Sequence, residues 1–307
     1  MRLYRHFTDY KDRQSGIALA IGNFDGFHHG HKAVIATMQA KARALGLKSA
    51  VMIFEPQPLE FFGKAVPPRL YSLRDKLKAF AACNLDVVFC VSFTKDFCSL
   101  SAEEFVDLLA TLNVKAVVVG SLFNFGKNGS AVFDDLKRLC AQKGISAEAI
   151  NAVSREGIRI SSTQIRALLS AGDLETAAQM LGRPFSMSGR VVHGQQLGRT
   201  LGFPTANVNL RRKVSPLNGV YAVKVRTRYG LYNGMANVGS RPTVQGHKSL
   251  LEVYLFDFAA DLYGSEIEVY FMHKLRAEVK FVSLDKLKAQ LSLDCAAARK
   301  ALAYDAI

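Results

Sequence analysis

Residues 22 to 31 read Gly22-Asn23-Phe24-Asp25-Gly26-Phe27-His28-His29-Gly30-His31. His28 and His31 are three positions apart, so the start of a helix would aim both imidazoles at one point. Imidazoles there can donate hydrogen bonds to phosphoryl oxygens as charge builds in a transition state. Gly22, Gly26 and Gly30 let the backbone turn sharply and approach a ligand closely. The segment follows the apolar run 17–21 and precedes residues 33–45, rich in Ala, Leu, Met and Lys. Strand, loop, helix is the order this predicts. A helix that begins there adds free backbone N–H groups and the positive end of a dipole, both suited to phosphate. A metal site is the alternative, with Asp25 as an available ligand, but metal binding asks for a third ligand and a carboxylate partner.

Three further clusters could carry chemistry. In Ile160-Ser161-Ser162-Thr163-Gln164-Ile165-Arg166, Ser161 or Ser162 can cap a helix that starts near Thr163. Exposed N–H groups, hydroxyls and Arg166 would then converge on a polyphosphate; taken alone, the pattern is more often just a capped helix. In Gly189-Arg190-Val191-Val192-His193-Gly194 and Gly198-Arg199-Thr200-Leu201-Gly202-Phe203-Pro204-Thr205-Ala206-Asn207, the glycines allow loops around phosphates, and Arg190 and Arg199 supply charge. Thr205 and Asn207 put two neutral oxygens on one side of an extended chain, a donor type that suits Mg²⁺ beside ATP phosphates. By itself this stretch reads as a polar loop that opens a barrel. Finally, Glu252 interrupts the apolar strand 250–256, with Leu251, Val253 and Leu255 facing one way and Glu252 and Tyr254 the other. A mid-strand acid lies on a solvated face or acts as a positioned proton acceptor. Gly126-Lys127 is not the end of a P-loop, because position 121 is Ser and position 128 is Asn.

The elements that must position these residues change character along the chain. Apolar runs at 17–21, 49–54, 87–92, 116–119 and 146–150 alternate with helical patterns at 33–45, 102–109 and 132–142. Ser101-Ala102-Glu103-Glu104 is a capping box for the helix 102–109. Alternation of this kind predicts a parallel α/β sheet with helices on both faces. Beyond residue 184 the pattern turns β-rich, with strands at 219–226, 234–238, 250–258 and 266–274, then helices at 284–291 and 294–303. That predicts a small antiparallel β-barrel closed by C-terminal helices. The expected division is therefore 1–184 and 185–307.

Composition bounds the partners. The chain has 307 residues, enough for two cores, and a formal net charge of +14. The excess of base favours acidic partners. Basic residues are scattered, and Arg211-Arg212-Lys213 is the longest run, which favours phosphate-bearing ligands, or mere solubility, over a dedicated nucleic-acid stripe. Five cysteines with no Cys-x-x-Cys argue against disulfides and zinc and fit a reducing cytoplasm. The first ten residues lack the apolar stretch of a signal peptide, and no run reaches the length of a membrane span.

The His-x-Gly-His pattern resembles the nucleotidylyltransferase superfamily, and the full run 22–31 resembles the bacterial bifunctional riboflavin kinase/FAD synthetase family. Ser161-Ser162-Thr163 with Arg166 resembles that family's second ATP-phosphate motif. Phe54-Glu55-Pro56-Gln57-Pro58 resembles its Phe-x-Pro-x-Pro loop, with Gln57 where many members have His. Arg69-Leu70 and Leu73-Arg74 match a basic stretch downstream. Gly120-Ser121-Leu122-Phe123-Asn124-Phe125-Gly126 matches a Gly-x-Asp-Phe-x-Phe-Gly segment, with Leu122 in place of the acid. Gly198–Asn207 resembles the riboflavin kinase signature. The match continues through residues 219–223, 234–243 and 261–264 and through Arg276, Glu278 and Phe281.

The resemblance implies ATP binding by Gly22, Asn23, Phe24, Asp25, Gly30, Ser162, Thr163, Arg166, Gly189, Arg190, Gly194, Arg199 and Gly202. It implies Mg²⁺ on Thr205 and Asn207, flavin contacts from Phe123, Phe125, Arg276 and Glu278, adenylyl transfer at His28 and His31, and Glu252 as the kinase base. Riboflavin would be phosphorylated to FMN with release of ADP, and FMN adenylylated to FAD with release of pyrophosphate. A nucleotidylyltransferase with another acceptor would leave Gly198–Asn207 and Glu252 unexplained. A basic nucleic-acid-binding protein would show steeply salt-dependent binding and no turnover.

Overall fold

The computed structural model describes residues 1–12, 14–63, 66–155, 157–194, 198, 201–210, 214–243 and 246–303, with backbone alone at 155, 240–243 and 246–249. The chain divides into two compact units, Met1–Pro67 with Leu73–Ser161, and Pro68–Ser72 with Ser162–Ile307.

The first unit contains strands β1 (Arg2–Tyr4), β2 (Ile17–Ile21), β3 (Lys48–Glu55), β4 (Val87–Ser92), β5 (Val114–Gly120) and β6 (Ser146–Ile150). They form one six-stranded sheet in the order β1-β4-β3-β2-β5-β6, and every pairing is parallel. Every residue of β2 is buried, the signature of a central strand covered on both faces. The helices are α1 (His29–Ala44), α2 (Pro58–Phe62), α3 (Leu73–Ala82), α4 (Lys95–Cys98), α5 (Ala102–Thr111) and α6 (Phe133–Gln142). The capping box at α5 forms as predicted: Ser101 Oγ accepts from Glu104 N at 3.1 Å, and Glu104 accepts from Ser101 N at 2.7 Å. A short hairpin, β7 (Ser154–Arg155) with β8 (Ile158–Arg159), ends the unit. Connections from β2 run to one side, to β3, whereas those from β5 run to the other, to β6. The sheet thus has a switch point between β2 and β5, where a crevice opens beyond the strand ends.

The second unit starts with α7 (Ser162–Ala171) and α8 (Leu174–Leu181), which stops at Gly182 in the left-handed region, φ 71°. Six strands follow: β9 (Ser186–Val192), β10 (Ala206–Asn209), β11 (Gly219–Thr227), β12 (Gly230–Thr243), β13 (Gly246–Leu255) and β14 (Glu266–Arg276). They close an antiparallel barrel in the order β10-β13-β12-β11-β14-β9. The turn after α7 lies against β14, since a Cβ on Gly172 would stand 2.5 Å from Lys274 Cδ. Pro68–Ser72 joins this unit because Arg166 Nε donates to the Pro68 carbonyl at 2.7 Å and the Arg183 guanidinium lies 4.8 Å from the Tyr71 ring centre.

The C-terminal helical run is one helix, α9 (Leu284–Leu302), where the sequence pattern predicted two. Ser292 does not break it; its hydroxyl donates to the Lys288 carbonyl one turn back at 3.2 Å, a bond compatible with continued helix. Ala298 and Leu302 of α9 pack with Ala222, Met235 and Phe256 on the outside of the barrel. Among the described residues no helix is long and apolar enough to cross a membrane.

Candidate active sites

The loop from β2 to α1 is tightly wound. Gly22 N donates to the Met52 carbonyl at 3.1 Å. Phe24 (φ 48°), Gly26 (φ 82°) and Phe27 (φ 46°) all adopt left-handed backbone. For Phe this conformation costs on the order of 1–3 kcal/mol per residue. Packing holds it: the buried rings of Phe24 and Phe27 meet Phe80 of α3 edge-on, with centres 5.6 and 5.8 Å away. The chain then leaves as α1, with His28 as its N-cap. His28 Nδ1 accepts from the backbone N–H of His31 at 3.3 Å, which puts the proton of the neutral His28 ring on Nε2.

The two rings stack with centres 3.6 Å apart and planes 16° apart. Gly30 leaves room for the His28 ring, since a Cβ there would press on it at 3.1 Å from Cε1. Burial, the adjacent His28 ring and the Lys76 ammonium hold the His31 pKa well below 6.5. A neutral imidazole can accept and donate hydrogen bonds without a counter-ion. His31 Nδ1 and Asn23 Oδ1 are buried and lack a hydrogen-bond partner among the described residues, so a bound ligand would satisfy them. Asp25 is also buried. Among the described residues no cluster of three or more His, Cys, Asp or Glu can hold a metal ion, so the ligand set of the metal alternative is missing.

Lys76, only 1% exposed, escaped the sequence reading. It lies one helical turn before Phe80, hence on the face of α3 that meets the loop, and its charge is felt at His31. Hydrophobic periodicity treats a lysine as a surface residue, so the available signal was its i, i+4 spacing to a core phenylalanine.

The segment after β5 contributes aromatic surface. Phe123 and Phe125 stack at 5.8 Å with planes 10° apart. Phe125 is buried against Phe105, with ring centres 5.5 Å apart, and Phe123 covers it. Leu122 is 68% exposed. Gln57 is buried as the N-cap of α2, with Nε2 unpartnered among the described residues.

Ser162, Thr163 and Arg166 form the first turn and a half of α7, in the second unit. Arg166 is oriented by its bond to the Pro68 carbonyl.

In the barrel, Asn207 of β10 and Asn237 of β12 both stand opposite Glu252 of β13 in the strand register. Directly opposed residues point to the same face, so three polar side chains form a row across three strands. Leu251, Val253 and Leu255 are buried toward the other face, as the alternation predicted. The row is not on open solvent. It lines a cavity of about 260 Å³ that also includes Thr205, Tyr254, Arg276, Glu278 and, from α9, Leu287, Leu291 and Asp294. Arg276 is at the end of β14 and holds Asp294 through Nε at 3.0 Å and Nη2 at 2.7 Å. Asp294 also accepts from Gln290 at 2.8 Å. Glu278 lies against β12, where a Cβ on Gly239 would stand 2.6 Å from its Oε1.

A second cavity, about 420 Å³, is lined by Pro204, Thr205, Ala206, Leu255, Asp261 and Tyr263 among others. Thr205 is common to both. The His193 ring stacks on Tyr263 with centres 3.9 Å apart.

The remaining sequence-predicted residues fall as follows. Gly189 and Arg190 are strand positions in β9 and line neither cavity. Gly194 accommodates the Asn207 side chain, which a Cβ there would strike. Gly202 turns the chain at φ 85°. Arg199 lies outside the described residues.

Comparison with known proteins finds two families in succession along the chain. Residues 10–164 match the FAD synthetase family and residues 181–302 the riboflavin kinase family. The chain is 44% identical to the bifunctional riboflavin kinase/FMN adenylyltransferase of Haemophilus influenzae over 303 residues, covering 97% of this chain and 98% of that protein. It is 47% identical to the Escherichia coli K12 protein of the same name over 294 residues, covering 94% and 93%. A crystal structure described as a macrolide-efflux protein from Streptococcus pneumoniae superposes with a TM-score of 0.81 at 31% identity, over 95% of this chain and 96% of that one. With both family matches in order along the chain and relatives aligned over nearly its whole length, the chain belongs to the bifunctional riboflavin kinase/FMN adenylyltransferase family.

Proposed function

We propose that the barrel unit phosphorylates riboflavin to FMN, and that the α/β unit, with the α7 motif, adenylylates FMN to FAD, each step using ATP. The observation that carries the kinase half is Glu252 set in register between Asn207 and Asn237 on the wall of a cavity. The terminal alcohol of riboflavin is a weak nucleophile. Glu252 accepts its proton as the oxygen attacks the γ-phosphorus of ATP; the bond from that phosphorus to the bridging oxygen breaks, and ADP leaves. Such proton transfer is worth roughly 10²–10⁴-fold, and the rest is positioning and electrostatics.

The second cavity is our choice for the nucleotide, because Thr205 faces both cavities and so stands where the γ-phosphate would meet the alcohol. Thr205 and Asn207 offer neutral hard oxygens, a set that fits Mg²⁺ together with phosphate oxygens and water. When bound there, Mg²⁺ supplies charge neutralisation on the transferring phosphoryl group. Arg276 and Glu278 line the flavin side of the cavity.

In the α/β unit a phosphate oxygen of FMN attacks the α-phosphorus of a second ATP, and pyrophosphate leaves. The nucleophile is already an anion, so no strong base is needed. His28, His31 and the α1 N-terminus serve to neutralise the five-coordinate centre and the leaving pyrophosphate; Ser162, Thr163 and Arg166 are assigned to ATP phosphates by the family resemblance alone. The buried, unpartnered His31 Nδ1 and Asn23 Oδ1 support this reading. Phe123 is the aromatic surface offered to the isoalloxazine, with Phe125 beneath it as support.

We take 1–184 and 185–307 as the functional domains, the enzyme as cytoplasmic, and its partners as riboflavin, FMN, FAD, ATP, ADP and pyrophosphate. The test is to incubate the protein with riboflavin, ATP and Mg²⁺ and separate the flavins by chromatography. FMN followed by FAD is expected; unchanged riboflavin refutes the reading.

A further inference from the structure

Asn237 belongs to no catalytic step described above, yet it lines the kinase cavity. It is opposite Glu252 in the β12–β13 register, on the face that Glu252 presents to the cavity. Several other polar groups in or beside the cavity are engaged. Arg276 and Asp294 bind each other, Gln290 bonds to Asp294, and the Asn207 amide packs against Gly194. Asn237 differs. Its Oδ1 is buried and accepts no hydrogen bond among the described residues, and it is the only buried side-chain oxygen of the barrel unit in that state. A buried acceptor left unsatisfied is destabilising unless a ligand donates to it.

The ligand class that would donate is a polyol. Riboflavin carries a ribityl chain with three secondary hydroxyls before the terminal alcohol. A carboxylate that takes the terminal proton and a neutral acceptor directly across the strand pair are separated by the cross-strand spacing of about 4.5–5.5 Å between Cβ atoms. Both side chains extend from those Cβ atoms into the same cavity, so two hydroxyls of one carbon chain can meet them together. We propose that Asn237 Oδ1 accepts a hydrogen bond from a secondary ribityl hydroxyl, so that it holds the terminal alcohol on Glu252 and selects for a hydroxylated side chain. This assignment rests on the reading of the barrel as a riboflavin kinase.

The test compares two substrates, riboflavin and the same 7,8-dimethylisoalloxazine with a plain 5-hydroxypentyl side chain, which keeps the reacting alcohol and lacks the secondary hydroxyls. Wild-type enzyme is expected to prefer riboflavin in kcat/KM. Asn237→Leu, similar in volume, should lose roughly 10- to 100-fold on riboflavin and little on the plain-chain flavin, so the preference collapses. The acid limb of the pH profile of kcat/KM should not move. An equal loss on both flavins, with a shifted acid limb, would mean that Asn237 acts through Glu252 and would overturn the proposal. Retained preference for riboflavin in the variant would overturn it as well. If the leucine variant does not fold, Asn237→Ser, which keeps a smaller acceptor, and Asn237→Ala carry the same comparison: serine should retain more of the preference than alanine, and equal preferences refute the assignment. Failure of the wild-type enzyme to phosphorylate riboflavin at all would instead refute the kinase reading, and the assignment with it.

Discussion

His31 stays neutral below its ordinary pKa, because burial, the stacked His28 ring and the Lys76 ammonium all oppose its protonation. The sign of the consequence follows from linkage. In the unfolded chain the imidazole takes a proton as pH falls through about 6.5, whereas in the folded protein it does not. The stability tied to the neutral ring is therefore complete above pH 6.5 and lost as pH drops below it. The melting temperature of the wild-type protein should fall more between pH 7 and pH 5 than that of His31→Asn; parallel curves would show that the ring does not titrate this way. Gly30 gives a cleaner separation of chemistry from stability. Alanine at a helical position is favoured over glycine by up to about 1 kcal/mol, but its Cβ would press on the His28 ring at 3.1 Å. Gly30→Ala should keep or raise the melting temperature and still lower FMN adenylylation by about tenfold or more, since small displacements of catalytic groups are costly. Riboflavin phosphorylation, measured in the same sample, should not change. The histidine pair and its glycine were legible in the sequence because their geometry is local to one helical turn. Lys76 was not, because its role comes from α3 folding back over the loop.

At the scale of elements, α3 and α9 do what no local pattern announces. Phe80 of α3 supports two phenylalanines in strained backbone. Phe80→Ala removes a buried aromatic ring, a change that typically costs about 3–5 kcal/mol, and it frees the loop to relax. FAD formation should fall well beyond the fraction of protein unfolded, as measured by circular dichroism at the assay temperature, while FMN formation continues. A fall that merely tracks unfolding would mean that Phe80 has no bearing on loop geometry. In the barrel, α9 covers the Glu252 face and converts it from a solvated surface into a cavity wall. The period-2 alternation around Glu252 was readable, and the structure bears it out. The roof was not readable, because α9 is distant in sequence and its Asp294 finds Arg276 only after the barrel closes. β9 and β10 were read as glycine-rich loops, since Gly189 and the Gly198–Asn207 stretch lack the apolar alternation of a half-buried strand. They become strands because β13 and β14 offer them edges to pair with.

At the scale of the whole chain, two units carry two chemistries, so the activities should separate. His31→Ala is expected to abolish FAD formation while FMN accumulates, and Glu252→Ala to block FMN formation while supplied FMN is still adenylylated. Chromatography of the flavins reads both outcomes; loss of both activities from one substitution in folded protein would contradict the two-site reading. The sequence by itself determined the α/β-then-barrel order, the helix-start grip at Asn23–His31 and the outward face of Glu252. These rest on short-range rules, namely helical spacing, strand alternation, and glycine where the chain must bend. Only the tertiary structure decided that β2 lies beside β5 at the switch of the sheet, that Lys76 and Phe80 back the histidine loop, and that Asn207, Glu252 and Asn237 form one row under α9. Strand neighbours and register are fixed by which pairing buries every apolar face at once. That is a property of the closed sheet and barrel, and no single segment carries it.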